Sequence, residues 1–309
     1  MRNFLCLTLA LCIFCVEKPF AQPKKAVPVI AKKDLEKLVV FGDSLQILGN
    51  RMLTDSIGDN RFLACHQILP MLKKALEVEN SFQFKFPGTK TISIQYPADS
   101  SFRIFTWQLF VDDSTYKYFG GIQTPGKNGS FYPLNDRSDD LRDACFEALT
   151  PDNWYGALYY RITELDGREG KKYLLYGFDA YRFFEKRKVL DVLTFRDGKP
   201  VFGAPVFNRS IASARGVPEM RLILTYSAET NISLNFDNEY GMILFDHLIP
   251  EQSPFEAGTT FVPDGSYEGF SVKNGKLEYI SKVFNDSQKE APRPVPVLDS
   301  RKGKSIFGN

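Results

Sequence analysis

Two periods organise this chain. Between Lys33 and Leu76 apolar residues recur every three or four positions, and beyond Asn80 they recur every second position. Leu35, Leu38, Leu45, Leu48 and Met52 predict a first helix. Ile57-Gly58-Asp59-Asn60 predicts a turn, and Phe62, Cys65, Leu69, Leu72 and Leu76 predict a second helix with Pro70 as a point of kinking. Further on, Ile92, Ile94 and Tyr96 alternate with polar residues, as do Ile232, Leu234 and Phe236, which is the pattern of half-buried strands. Five runs are apolar on both faces and read as central strands covered on each side: 104–110, 173–178, 189–195, 222–226 and 242–245. Asn274-Gly275, Asp197-Gly198 and Asp166-Gly167 lie between such runs and supply the positive φ that tight hairpins need. One short helix is expected over 138–149, capped by Ser138, with Leu141, Cys145 and Leu149 facing inward. Strands do not alternate with helices, so a doubly wound parallel sheet is not expected.

The expected fold is therefore mainly β with N-terminal helices (α+β), built on a large antiparallel meander-type sheet. The alternative is a β-propeller-like arrangement, although the spacing of comparable runs is irregular and no signature dipeptide recurs.

The ends of the chain carry a different signal. Met1-Arg2-Asn3 is a short basic start, Phe4 to Val16 is an apolar run too short to span a bilayer, and Ala21 is a small residue ahead of Gln22-Pro23. This predicts an export signal over 1–21, a linker over 22–32, a helical segment over 33–80, an antiparallel β-rich domain over 81–285 and a Pro/Lys-rich tail over 286–309. Bulky Ile13-Phe14 ahead of Cys15 argues against a lipid anchor there, and no later stretch is apolar enough to predict a transmembrane segment.

Composition sharpens this picture in one respect. Aromatic residues reach 14%, with 27 Phe and 14 Tyr against 2 Trp, an excess that suits pleated, half-buried surfaces and also suits a sugar-binding platform. The net charge of +2 comes from interspersed charges with no Lys/Arg block, which predicts no nucleic-acid partner. Outside the export signal the cysteines are Cys65 and Cys145. They can pair in an oxidising compartment, or each can serve as a small hydrophobe on an apolar face.

Candidate chemistry is sparse. Val39-Val40-Phe41-Gly42-Asp43-Ser44-Leu45 resembles the first block of the GDSL-type esterases (SGNH hydrolases), in which Ser44 would be the nucleophile. That mechanism also needs an Asp-x-x-His pair and a Gly-x-Asn-Asp block, and the sequence holds neither. Ser44 is therefore expected on a helix. Asp246-His247 closes an apolar strand, but adjacent strand residues point to opposite faces, so the two form a dyad only across a bulge. Carboxylates suited to glycoside hydrolysis are Glu164, Asp179, Asp191, Asp237 and Asp246, whose pairing is spatial. His66 and His247 without Cys-x-x-Cys or His-Glu-x-x-His predict no metal site, and without a Gly-rich phosphate cradle no cofactor is expected. Trp154, Tyr155 and Tyr267 are candidates for ligand binding, since the first two follow a turn-like Thr150-Pro151-Asp152-Asn153.

The segments at 102–108, 153–160, 242–248 and 262–267 resemble those of uncharacterised exported proteins of Bacteroidota. The resemblance spans roughly residues 60–285. It implies a periplasmic or outer-surface location in a Gram-negative bacterium and a helix at the Ser44 block, and it implies no activity. The expectation is a non-catalytic binding or structural module with a glycan or protein partner at the cell envelope. The alternative is a hydrolase that uses Ser44 or a carboxylate pair.

Overall fold

The computed structural model describes residues 28–112, 115–168, 170–209, 216–252 and 258–284, so the expected export signal and tail lie outside the described residues. Two helices, α1 (Lys32–Thr54) and α2 (Gly58–Leu76), open the fold. The buried seam of α1 is Leu38, Gly42, Leu45, Gly49 and Met52, a repeat of four and three that winds one stripe around the helix. Leu35, expected on that stripe, is 42% exposed, while two glycines take seam positions and let the helix approach Phe84 and Thr91 closely. Asp55 ends α1. Its carboxylate accepts the Ile57 amide at 2.9 Å and the Asn60 side chain at 3.2 Å, so the turn falls two residues earlier than the sequence suggests and Gly58 already begins α2. The second helix runs through Pro70 without a break.

Three antiparallel sheets follow. The first holds β1 (Ser93–Gln95), β2 (Arg103–Asp112), β3 (Thr115–Gln123) and β4 (Phe131–Asn135) in that order. The second is built on β5 (Leu158–Leu165), β6 (Lys172–Asp179) and β7 (Glu185–Arg196). One edge of β7 also takes β8 (Lys199–Phe202) and β10 (Leu222–Ser227). In the third, β11 (Leu234–Asp237), β12 (Met242–Gln252), β13 (Thr259–Lys273) and β14 (Lys276–Ile280) run in sequence order. A two-residue strand, β9 (Phe207–Asn208), joins β14 in parallel, the one exception to antiparallel pairing among the described strands. The fold is thus mostly β with two N-terminal helices, divided into three meanders where one large sheet was expected, and it forms no closed barrel or propeller among the described residues.

Strand alternation explains the stacking. In β2, Phe105, Trp107 and Leu109 face the helices, while Ile104 and the adjacent Phe102 face the second sheet. In β6 and β7, Tyr173, Leu175, Val189 and Leu193 face the first sheet, while Leu174, Tyr176, Leu190 and Val192 face the third. Helices and sheets therefore form four layers with an apolar cluster filling each gap, which is why the central strands are apolar on both faces. The helical segment shares the first of these cores with sheet one and is not packed separately.

The helix expected over 138–149 does not form. Only 3-10 turns appear, at Ser138–Asp140 and Ala144–Phe146. Ser138 does not act as a cap: its amide and hydroxyl donate to Asp136 Oδ1 at 3.0 and 2.7 Å. Backbone groups that a helix would use internally are spent on tertiary bonds. The Cys145 carbonyl accepts the Met220 amide at 2.7 Å, Leu149 exchanges bonds with Phe202 at 2.7 and 2.8 Å, and the Arg221 guanidinium takes the Ala144 and Glu147 carbonyls. Competition from a buried cation outweighs helical periodicity here. Cys65 and Cys145 are both free thiols, and burial pushes Cys65 up to about 11.

Candidate functional site

A polar pocket opens where sheets one and two meet. Its floor is Asp179, the last residue of β6, paired in register with Arg187 of β7. The connecting turn holds Tyr181 at φ +49°, a left-handed conformation unusual for a bulky residue. Three contacts keep it there: the Tyr181 amide donates to Asp179 Oδ1 at 2.9 Å, the Ala180 amide donates to the Tyr118 phenol at 2.6 Å, and the Arg182 amide donates to the Glu185 carbonyl at 3.0 Å. Tyr155 donates its phenol to Asp179 Oδ2 at 3.0 Å. Arg187 in turn donates Nη1 to the Tyr155 oxygen and Nε to Thr225 Oγ1, each at 3.2 Å, and Nη1 stands 4.0 Å from Asp179 Oδ2.

The wall opposite comes from β3 and from the loop after β4. Asp136 links them by accepting the Tyr118 amide at 2.9 Å, and Ser138 and Asp139 line the rim beside Tyr116. Gly156, at φ +81°, lies against the Asp136 carboxylate, where a Cβ would collide with it. Asp139 is engaged by Lys117. Burial holds the Asp179 carboxyl above the ordinary carboxylate range, against the bonds from the Tyr181 amide, the Tyr155 phenol and Tyr118 and the attraction of Arg187. Burial also raises the phenols of Tyr118 and Tyr155, which Asp179 opposes ionising, so both stay protonated donors at neutral pH.

Behind the pocket lies a second, closed network. Trp154 Nε1 donates to the Tyr159 phenol at 3.0 Å, Tyr159 donates to Asp191 Oδ2 at 3.1 Å, and Arg221 Nε donates to Asp191 Oδ1 at 3.1 Å. Asp191, Arg221, Trp154 and Tyr159 are all wholly buried. This chain pins the loop over 144–155 onto β7 and has no opening for a ligand.

The remaining sequence candidates fall elsewhere. Ser44 sits in the middle of α1 and donates to the Val40 carbonyl at 2.8 Å, a bond internal to the helix. His66 lines the same shallow interhelical groove as Ser44, beside Ile47, Pro70 and Lys74. Trp154 and Tyr155 are interior residues, not a surface strip, so neither presents a ring face to a ligand. Tyr267 is exposed but meets Phe284 edge-on at 5.8 Å, and Phe284 meets Tyr240 edge-on at 5.2 Å, so these rings make no flat platform.

Asp246 and His247 do not pair. Asp246 Oδ2 accepts the Ser233 amide and hydroxyl at 2.6 and 2.8 Å. The strand register does shift at this point, and the bulge sets His247 Nδ1 at 2.5 Å from Glu268 Oε1 and Nε2 at 3.9 Å from Asp264 Oδ2. Glu164 and Asp99 share Lys171, at 2.8 and 2.9 Å. Asp237 accepts the amides of Glu239 and Tyr240 in a turn. Among the described residues no group of three or more His, Cys, Asp or Glu side chains is arranged to hold a metal ion. No described helix is long and apolar enough to cross a membrane.

The structure thus joins two residues named from sequence, Tyr155 and Asp179, and adds Tyr118, Tyr181, Arg182 and Arg187. The last three lie in Tyr181-Arg182-Phe183-Phe184-Glu185-Lys186-Arg187, which reads as an ordinary turn entering a strand. The available signal was the polar Asp179-Ala180-Tyr181-Arg182 step between two strands apolar on both faces. No protein-family model matches the chain, and no curated protein or solved structure is significantly similar to it.

Proposed function

We propose that the chain is an exported, non-catalytic module of a Gram-negative cell envelope that holds a glycan end or similar polyhydroxylated ligand in the Asp179 pocket. The observation that carries this reading is the composition of that one opening. It sets guanidinium donors, a serine hydroxyl and carboxylates beside the ring of Tyr181, and hydroxyl-rich ligands are held by such groups. Every acid in the pocket is already engaged: Asp179 by Tyr155, the Tyr181 amide and Arg187, and Asp139 by Lys117. That arrangement suits positioning more than proton abstraction. Export is supported by the basic start, short apolar core and Ala21 of the N-terminus, and a periplasmic or surface location by the resemblance to exported proteins of Bacteroidota.

A second reading has one observation in its favour. Burial raises the Asp179 carboxyl, as a general acid requires, and Asp139 would then serve as the base of a glycosidase. The two readings separate in one experiment. On an immobilised-glycan array the purified protein should retain a saccharide, Tyr181→Ala should abolish retention while leaving the melting temperature near that of the parent, and the retained saccharide should release no reducing ends. Release of reducing ends that Asp179→Asn stops would establish the glycosidase instead.

A further inference from the structure

Two guanidiniums, those of Arg182 and Arg187, line the pocket together with two carboxylates, those of Asp139 and Asp179. Arg182 and Arg187 both lie against the ring of Tyr181, with Cζ at 4.6 and 3.2 Å from its centroid. Two like charges gathered on one ring repel each other, and the ring face offsets only part of that cost. Arg187 has Asp179 at 4.0 Å as its carboxylate neighbour, its Nε and Nη1 are committed to Thr225 and Tyr155, and its Nη2 donates to no group among the described residues. Arg182 makes no ion pair among the described residues, although its side chain lines the pocket. The other acid on the rim, Asp139, is taken by Lys117. The left-handed Tyr181 and its bond to Asp179 fix the backbone of the turn that carries Arg182, beside the strand β7 that carries Arg187.

We infer that the pocket selects an acidic saccharide, with a ligand carboxylate bridging Arg182 and the free Nη2 of Arg187 while the sugar hydroxyls meet Ser138 and Asp139. The inference rests on the binding-module reading given above and adds the charge of the ligand to it. A planar carboxylate matches the paired donors of a guanidinium, which is why two arginines specify it better than a neutral hydroxyl does.

Calorimetric titration of the purified protein with trigalacturonate, with the neutral maltotriose and with sodium acetate tests it. Trigalacturonate should bind about tenfold or more tighter than maltotriose, the worth of one charge-assisted hydrogen bond. Its affinity should weaken with added salt while that of maltotriose stays level. Acetate alone should compete weakly, because it lacks the hydroxyls. Arg182→Ala should remove the preference for the acid by weakening trigalacturonate far more than maltotriose, and should leave the melting temperature near that of the parent, since this side chain is exposed and rests only on the Tyr181 ring among the described residues. Arg187→Lys, which keeps the charge but loses the fork, should also lower the preference. Equal affinity for the two trisaccharides, with both lost in Tyr181→Ala, would overturn the charge assignment while leaving the binding-module reading standing. Failure of either trisaccharide to bind at any salt concentration would overturn this inference and count against the broader reading together. Acetate binding as tightly as trigalacturonate would show a generic anion site and also overturn it.

Discussion

The two tryptophans show how aromatic residues are spent in this molecule. Trp107 lies wholly buried under the helices and stacks on Phe119 at 6.1 Å, and Trp154 is equally buried between sheets one and two, packed against Phe202. Arg103 is treated in the same way. It is buried with Phe82, Phe86, Tyr96 and Phe105 around its guanidinium, and it donates to the Ser81 and Phe84 carbonyls, Tyr96 and Gln123. Aromatic faces and carbonyls there do what a counter-ion would do elsewhere. The aromatic excess is thus core material at these positions, and its energetic consequence is direct. Truncating a fully buried tryptophan loses its transfer free energy and leaves a cavity, a cost of about 3–5 kcal/mol. Against a total stability of about 5–15 kcal/mol, Trp107→Ala and Trp154→Ala should each melt many degrees below the parent in a calorimetric scan. An unshifted melt for either would contradict its place in the core.

Among the elements, two hairpins of one design offer a matched comparison. Asp197-Gly198 joins β7 to β8 with φ of +50° and +76°, and Asn274-Gly275 joins β13 to β14 with φ of +50° and +74°. Their surroundings differ. A Cβ on Gly198 would meet nothing within 4 Å, whereas one on Gly275 would lie 2.6 Å from Gly167 Cα in the loop between β5 and β6. Gly198→Ala should therefore cost only the left-handed strain, about 1–2 kcal/mol. Gly275→Ala should cost clearly more in denaturant titration, because two backbone loops that tie sheet two to sheet three must separate. Equal costs would mean that the loops do not touch.

This comparison also marks what the sequence could reveal. Both tight turns were legible as Asn-Gly and Asp-Gly, and the strand runs were legible from their period. Asp166-Gly167 looked the same but belongs to a longer loop, with Leu165 paired to Lys172, and its glycine serves packing. The missing helix near Cys145 and the division into three sheets depend on partners up to 77 residues away, such as Arg221 on the Ala144 carbonyl. Local periodicity holds no record of them. The site was half legible for the same reason: Asp179 and Tyr155 stand out by type, but their meeting and their arginine neighbours are set by the register of β6 on β7.

At the scale of the whole molecule, the layers are stitched at their margins by polar clusters. Asp99, in the loop that leads into β2, accepts from Lys171 at 2.9 Å and from Tyr173 at 3.0 Å, and so ties sheet one to sheet two. Burial would raise its carboxyl, but Lys171, Ser101 and Tyr173 outweigh that and bring it down to about 2. A carboxyl lowered from 3.8 in the unfolded chain lends stability that is fully present above that value and is lost as pH falls towards about 2. Asp99→Asn should therefore be less stable than the parent at pH 7, and the gap between them should close across that acid window. A gap that stays constant from pH 7 to pH 2 would contradict the linkage.

The proposed ligand site is the opening floored by Asp179. Backbone amide NMR titration of the labelled protein with trigalacturonate and with maltotriose tests it most directly. Binding there should give shifts confined to 115–118, 138–139 and 179–187, saturating with added saccharide and leaving the helices unmoved. Shifts centred instead on the α1–α2 groove around Ser44 and His66, or on the Tyr267 and Phe284 surface, would contradict it.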